Sequence, residues 1–221
     1  MATRNDGDVQ ALATRLYSAV VSDALDAISC AGHVLDGQIR PRIPLKHPLV
    51  GRAATARSVP VEHVPDRPYQ TLLQAMDRLA PGEVWVVAAG GARRSAIFGG
   101  LLATAARARG ALGCVLDGAV RDMRELERLG FPTFAIGASP ADSLGRDEVV
   151  EHGVPVVCGG VRISPGDLIV ADEDGVVAVP QELESRVVDY ALTKVNGEGD
   201  MRRELAAGLP AAEAFARYGI L

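Results

Sequence analysis

The feature that most constrains the fold is an alternation of apolar runs and helical patterns between residues 83 and 136. The run EVWVVAA is almost continuously apolar, as expected of a strand that is buried on both faces. Strands that alternate with helices predict a parallel β-α-β-α-β core. The predicted elements are a strand over 83–89, a helix over 96–109, a strand over 113–116, a helix over 122–129 and a strand over 133–136.

The last third of the chain has a different pattern. Short apolar strands between residues 154 and 179 are separated by Gly-Gly, Pro-Gly and Asp-Glu-Asp-Gly turns, which predicts a layer of β-hairpins. No linker, repeat or low-complexity tract interrupts the sequence. We therefore expect one α/β domain over residues 1–221, with a β layer beside the parallel core.

Composition narrows the possible partners. Hydrophobic residues make up 48% of the chain, enough for a sizeable core, and the net charge of −5 is spread without a basic cluster. We therefore expect no nucleic-acid partner. The cysteines are widely spaced in apolar surroundings, and no apolar run approaches the roughly 18 residues of a membrane span. A cytoplasmic protein without a membrane partner is predicted.

Several common chemistries lack their sequence signals. The chain has no phosphate-binding loop, no Gly-x-Ser-x-Gly nucleophile and no histidine pair at metal-ligand spacing. Lys46 and Lys194 are the only lysines, and neither lies in the apolar run that would lower the pKa of a Schiff-base lysine. A lysine-dependent aldolase is thus disfavoured.

Arg121 and Asp122 fall at the predicted junction of a strand and a helix, where open α/β sheets bind ligands. A guanidinium pairs in a bidentate manner with a carboxylate, and a carboxylate beside it suits a hard cation such as Mg²⁺. Glu125, three residues on, shares a helix face with Asp122. A second interpretation stays open: first-turn acids favoured by the helix dipole and an Arg–Glu surface pair.

A second candidate element consists of Gly99, Gly100, Leu101 and Leu102. If a helix begins near these residues, its free amide groups form an anion site, and the glycines let a substrate carboxylate approach closely. Glycines in a first helical turn can equally serve packing alone. The spacing of these residues does not decide between an anion site and a packing role.

The chain nevertheless resembles a known family. The pattern is Gly100, twenty intervening residues, Arg121-Asp122, two residues and Glu125, with VSDALD, GRAATA, PGDLIVADEDGVVAVP and FARYGIL around it. This pattern is similar to that of the regulator of ribonuclease activity A (RraA) superfamily, which includes the class II 4-hydroxy-4-methyl-2-oxoglutarate aldolases. The resemblance implies a swivelling β/β/α sandwich and homotrimers or hexamers with active sites between subunits.

The resemblance also implies roles for individual residues. Asp122 would hold Mg²⁺ or Mn²⁺ largely through waters, Arg121 would bind the substrate and offset the enolate charge, and the amides of residues 99–102 would hold the pyruvate carboxylate. Glu125 would support these groups, as would Glu198 from a neighbouring subunit. At position 100 this chain has glycine, where the aldolases of the family carry an acid that orients metal-bound water.

We accordingly predict a divalent-metal-dependent lyase that cleaves a 4-hydroxy-2-oxo acid, of the 4-hydroxy-4-methyl-2-oxoglutarate type, to pyruvate. Oxaloacetate decarboxylation passes through the same enolate and is expected from the same site. The alternative is a non-catalytic regulator that binds a ribonuclease. A methyltransferase label has historically been attached to similar chains, but the glycine-rich S-adenosylmethionine loop is absent here.

Overall fold

A computed structural model describes residue 9 and residues 11–220. Its helices are α1 (Ser18–Ala27), α2 (Gln70–Asp77), α3 (Gly100–Ala108), α4 (Met123–Leu129), α5 (Glu184–Ala206) and α6 (Ala211–Tyr218). Its strands are β1 (Arg40–Pro41), β2 (Leu49–Pro60), β3 (Glu83–Ala88), β4 (Ala96–Phe98), β5 (Gly113–Val120), β6 (Thr133–Ala138), β7 (Asp147–His152), β8 (Val156–Cys158), β9 (Val161–Ile163), β10 (Leu168–Asp172) and β11 (Gly175–Val179).

The described residues form one nine-stranded sheet and one two-stranded sheet. The large sheet has the order β1-β6-β5-β3-β2-β10-β11, with β4 paired to β5 and β7 paired to β2. Strands β2, β3, β5 and β6 are mutually parallel, and β4 is parallel to β5. The predicted parallel core and the mixed α/β class are thus confirmed.

The large sheet is almost closed on itself. Its outer strand β11 pairs with the segment before β1, where Val34 bridges Val177 and the Leu35 N–H donates to the Val176 carbonyl at 2.9 Å. The same segment continues into β1, which pairs with β6 at the other side of the sheet. Residues 33–41 therefore connect β11 on one side of the sheet to β6 on the other.

Apolar side chains fill three regions around this sheet. One cluster lies between the sheet and α2, α3 and α4, and includes Trp85, Phe98 and Leu126. A second contains the β8–β9 hairpin against the other face, with Cys158 and Ile163 fully buried. A third packs α1 and α5 on β10 and β11. Among residues 9 and 11–220, none of the helices combines the length and the apolar character that a membrane span requires.

Two local predictions were wrong. Residues 96–98 belong to a strand that pairs with β5, and the helix predicted from 96 begins only at Gly100. The strand predicted over 113–116 continues to Val120, so Asp117 and Gly118 lie inside β5, at an irregularity of its pairing with β6. For residues 96–98, pairing with β5 overrides the local preference of the sequence. Asp117 stays within β5 because its carboxylate accepts the Ala89 and Gly159 N–H groups.

The hairpin-rich third of the chain divides between the sheets. Strands β8 and β9 form the small sheet, whereas the antiparallel β10–β11 hairpin extends the large sheet through β2. The hairpins are therefore present, and one of them is continuous with the parallel core.

Candidate functional site

Arg121 and Asp122 lie where β5 ends and α4 begins, as predicted. Every residue of β5 is buried, and the Arg121 N–H donates to the Phe98 carbonyl at 3.0 Å, so the strand is held in the core up to this point. Asp122 has φ 59° and ψ 41°. This left-handed conformation costs most residues about 1–2 kcal/mol, but Asp adopts it more readily. The chain turns there, and both side chains reach partly exposed positions.

The start of α3 lies directly against Asp122. The Gly100 N–H donates to Asp122 Oδ2 at 3.0 Å, and intrahelical bonding starts with the Ala103 N–H on the Gly99 carbonyl at 2.9 Å. The N–H groups of Leu101 and Leu102 therefore have no intrahelical acceptor. Of the amide groups predicted to hold a carboxylate, the Gly100 N–H already donates to Asp122. The Leu101 and Leu102 N–H groups lie at the N-terminus of α3, where the helix dipole favours an anion.

The two glycines permit this close approach of α3 and α4. A β-carbon on Gly99 would lie 2.7 Å from Asp122 Oδ2 and 2.9 Å from Arg121 Cγ. A β-carbon on Gly100 would lie 2.7 Å from Glu125 Cγ. An acidic side chain at position 100, which the family resemblance implies for the aldolases, could be accommodated here only if Glu125 moved.

The Arg121 guanidinium lies between two carboxylates. Its Nε is 3.8 Å from Asp122 Oδ2, and its Nη1 is 3.5 Å from Asp142 Oδ1. Both distances exceed the 2.7–3.2 Å of a good N–H···O hydrogen bond, so the guanidinium is attracted by both acids without being bound tightly by either. Its side chain is 35% exposed. Several of its five N–H donors thus remain available to a ligand.

Tyr69 holds the second of these carboxylates. Its hydroxyl donates to Asp142 Oδ2 at 2.7 Å, and the Ser143 N–H donates to Oδ1 at 2.7 Å. Burial, together with the hydrogen bond to Asp142, raises the pKa of Tyr69 to about 12. Burial also acts to raise the pKa of Asp142, but the Tyr69 hydrogen bond and the nearby guanidinium outweigh it and hold that pKa below its usual value. A protonated phenol and an ionised carboxylate result at neutral pH.

Glu125 is engaged by its helix neighbour. Arg128 donates from Nε to Glu125 Oε2 at 2.8 Å and from Nη2 to Oε1 at 2.6 Å. These hydrogen bonds lower the pKa of Glu125. Its N–H donates to the Asp122 carbonyl at 2.8 Å, so Glu125 lies beside the site. Glu125 thus forms a surface pair with Arg128, an arginine outside the predicted site.

Glu198 lies on α5 and has partners of its own. Its Oε2 accepts a short hydrogen bond from the Tyr17 hydroxyl and lies 3.8 Å from Arg202 Nη2. Within the described part of the chain, no hydrogen bond or ion pair joins Glu198 to Arg121 or Asp122. One copy of the chain therefore does not bring Glu198 into this site.

An open cleft of about 670 Å³ adjoins the start of both helices. Gly100, Thr104, Asp122 and Glu125 line it, and Leu101 stands at its side with 86% of its surface exposed. Arg121 lies on the other side of Asp122, towards Asp142. The Asp122 carboxylate thus faces both the cleft and the guanidinium.

The described residues hold no group of three or more His, Cys, Asp or Glu side chains that could share a metal ion. Of the two carboxylates beside Arg121, Asp122 is the more exposed, at 48% against 38% for Asp142, and among the described residues its Oδ2 accepts the Gly100 N–H while no donor is found for its Oδ1. Mg²⁺ keeps several waters and uses one or two protein carboxylates, so this donor set fits it.

Sequence reasoning missed Tyr69 and Asp142. Asp142 follows β6, which is parallel to β5, and the carboxyl ends of neighbouring parallel strands meet at one edge of a sheet. That rule could have brought Asp142 next to Arg121. Nothing in the local sequence identifies Tyr69, which precedes an ordinary amphipathic helix.

Two named relatives show what the sequence is similar to. A protein of Halalkalibacterium halodurans, provisionally named a 4-hydroxy-4-methyl-2-oxoglutarate aldolase, is 34% identical over 195 residues, which are 88% of this chain and 87% of that protein. A Thermus thermophilus protein named 4-hydroxy-4-methyl-2-oxoglutarate aldolase is 37% identical over 110 residues, which are 49% of this chain and 65% of that protein.

A solved structure gives the same result for the fold. The Streptomyces coelicolor protein RraAS2, described as an unusual member of the RNase ES inhibitor RraA family, superposes with a TM-score of 0.80 at 30% identity, covering 91% of this chain and 98% of that one. The family model described as Aldolase/RraA matches residues 18–178. With most of its length matched, including the Arg121-Asp122 junction, the chain belongs to the RraA-like family.

Proposed function

We propose that this protein is a divalent-metal-dependent lyase that cleaves a 4-hydroxy-2-oxo acid to pyruvate, and that the same site decarboxylates oxaloacetate. The observation that carries the proposal is the partly exposed Arg121 guanidinium, loosely held beside Asp122 and the free amides of α3. The names of the H. halodurans and T. thermophilus relatives support the same substrate class.

The protein's own groups match a 2-oxo acid. The N–H groups of Leu101 and Leu102 would bind its carboxylate at the positive end of α3. Arg121 would then donate to the 2-oxo oxygen, where negative charge increases during the reaction. Because its present contacts are longer than hydrogen bonds, the guanidinium would give up little to make this new one.

The reaction is a retro-aldol cleavage. The C3–C4 bond breaks, and its electron pair stays with C3 as the enolate of pyruvate. The C4 hydroxyl loses its proton to solvent and becomes a carbonyl, and C3 then takes up a proton. In oxaloacetate the C3–C4 bond breaks in the same direction and releases CO₂. Arg121 stabilises the enolate oxygen in both reactions.

Charge balance supports the need for a cation. Arg121 lies between Asp122 and Asp142, so these three side chains carry a net negative charge. Arg124, Glu125 and Arg128 line the adjoining cleft, so the repulsion of a dianionic substrate would be local to the Asp122 carboxylate. Mg²⁺ or Mn²⁺ at Asp122, when bound, supplies the positive charge and polarises the 2-oxo group.

The proposed site is incomplete in one copy of the chain. Leu101, 86% exposed beside the cleft, is suited to contact with another subunit. We include in the proposal a cytoplasmic homotrimer or hexamer of single-domain subunits, in which Glu198 of a neighbour would approach Asp122 and Arg121.

Pyruvate release from oxaloacetate and from 4-hydroxy-4-methyl-2-oxoglutarate tests the proposal. We expect release with Mg²⁺ or Mn²⁺ above the metal-only blank, and a loss of about 100-fold or more in Asp122→Asn, the scale on which a charge-stabilising group acts. Asp77→Asn, which alters an exposed carboxylate paired with Arg109, is the matched control. No release from either compound would overturn the enzyme assignment.

The second candidate function is binding to a ribonuclease without catalysis. The similarity to the S. coelicolor RraA-family protein favours it. In that case the chain would form a stable complex with the ribonuclease, and Asp122→Asn would bind it as tightly as the wild type.

A further inference from the structure

Arg121 is linked to a side chain that lies on a distant part of the chain. Tyr69 precedes α2, Asp142 follows β6, and Arg121 follows β5, yet the three side chains form one continuous path of contacts. We propose that Asp142, held in place by Tyr69, is a positioning residue that orients the Arg121 guanidinium towards the substrate. This inference rests on the proposed function, since it names what orients the group that meets the substrate.

The Asp142 carboxylate is fixed from both sides. Oδ2 accepts from the Tyr69 hydroxyl and Oδ1 from the Ser143 N–H, each at 2.7 Å. The backbone is held as well, because the Ala96 N–H donates to the Ala141 carbonyl at 2.8 Å and Ala96 forms a bridge with Asp142. A fixed anion 3.5 Å from Arg121 Nη1 restricts the orientations of a long, flexible side chain.

The backbone gives a second, independent observation. Of the described residues, only three other than glycine have positive φ: Ser29, Tyr69 and Asp122. Tyr69 belongs to this path, and Asp122 directly follows Arg121 in the chain. Tyr69 is a bulky aromatic residue at φ 62° and ψ 8°. Such conformations are uncommon, cost about 1–3 kcal/mol, and cluster at functional sites where the surroundings hold them.

Stability does not account for the arrangement. The Arg121 and Asp142 side chains are 35% and 38% exposed, and an exposed ion pair of this kind contributes about 0–1 kcal/mol. The negative charge of Asp142 would also weaken the binding of an anionic substrate to Arg121. Positioning and charge thus predict opposite results when Asp142 is neutralised, and the sign of the effect decides between them.

The experiment compares Asp142→Asn, Asp142→Glu and Tyr69→Phe with the wild type. Asp77→Asn is the control, because it alters an exposed Arg–Asp pair at the opposite ends of α2 and α3. Three quantities are measured: kcat and KM for pyruvate release from oxaloacetate, the affinity for oxalate with Mg²⁺ by calorimetry, and the thermal midpoint. Oxalate serves as a planar analogue of the pyruvate enolate.

If Asp142 positions Arg121, Asp142→Asn binds oxalate about 10-fold more weakly and loses kcat by a similar factor. Tyr69→Phe shows a smaller loss of about 3-fold, because the carboxylate remains but is less restrained. Asp142→Glu, which keeps the negatively charged carboxylate, falls between the wild type and Asp142→Asn. The control matches the wild type in all three measurements.

Oxalate binding by Asp142→Asn that equals or exceeds that of the wild type would overturn the positioning role. If Asp142→Asn fails to fold, Tyr69→Phe and Asp142→Glu decide the question, and wild-type behaviour in both would overturn it. A wild type that binds oxalate but releases no pyruvate contradicts the proposed function alone. A wild type that does not bind oxalate contradicts both proposals.

Discussion

Two arginines of this fold lie beside carboxylates and differ in almost every other respect. Arg52 in β2 binds Glu184 of α5 through both of its terminal nitrogens, with Nη2 at 3.0 Å from Oε1, and the two side chains are only 12% and 2% exposed. Arg121 at the end of β5 is 35% exposed and lies 3.5 Å and 3.8 Å from its two carboxylates.

These differences indicate that the Arg52 guanidinium has a structural role, whereas that of Arg121 is available to bind a ligand. Arg52 also donates to the Gly166 carbonyl at 3.4 Å, so its donors are directed at the protein, and it ties β2 to α5. Arg121 has a fixed backbone and loosely held donors, the arrangement required of a group that must change partners when a substrate binds. Three predictions test this contrast.

The largest expected effect is on stability at the buried pair. Glu184→Ala leaves the Arg52 charge buried without its carboxylate and should lower the free energy of unfolding by about 3–5 kcal/mol, measured by urea denaturation. The double variant Arg52→Met, Glu184→Met should regain most of this loss. A decrease below about 1 kcal/mol in Glu184→Ala would contradict the structural role of the pair.

The next effect is on activity at the exposed arginine. Arg121→Lys keeps the charge but loses the planar set of donors, so kcat/KM for pyruvate release should fall about 10- to 100-fold. The free energy of unfolding should change by less than about 0.5 kcal/mol, because no close contact is lost. A stability loss as large as that of Glu184→Ala would show that the two arginines do not differ as described.

The smallest effect concerns the space beside Arg121. In Gly99→Ala the added methyl group would press on Asp122 Oδ2 and Arg121 Cγ, both side-chain atoms that can shift. We expect kcat/KM to fall by about 3- to 10-fold through misplacement of these groups. Gly137→Ala, where no atom lies within 4 Å of the added carbon, is the control. Equal activities of the two variants would argue against the need for glycine at position 99.

The parallel core could be predicted because its strands are apolar runs separated by helices of clear period. The strand over residues 96–98 could not be predicted, because Ala96, Ile97 and Phe98 fit a helix as well as a strand. Only their pairing with β5 makes this segment a strand. Asp117 resembles a turn residue, but its carboxylate accepts the Ala89 and Gly159 N–H groups and so remains buried within β5.

The candidate site divides in the same way. Arg121, Asp122 and the glycines at 99 and 100 lie within one short stretch, so their spacing carries the information that places them together. Asp142 and Tyr69 are separated by 73 positions in the chain, and their contact depends on the three-dimensional path of α2 and β6. A contact between two such distant residues cannot be predicted from the periodicity of either local segment.

The near-closure of the large sheet has a consequence for how the chain folds. Val34 forms a bridge with Val177 of β11. The segment before β1 therefore cannot complete the sheet until the β10–β11 hairpin, more than 130 residues later in the chain, has formed. Contacts between such distant residues form slowly, because the loop that they close loses much of its freedom first. During synthesis β2, β3, β5 and β6 would all emerge before β11, so the parallel strands could pair before the sheet closes.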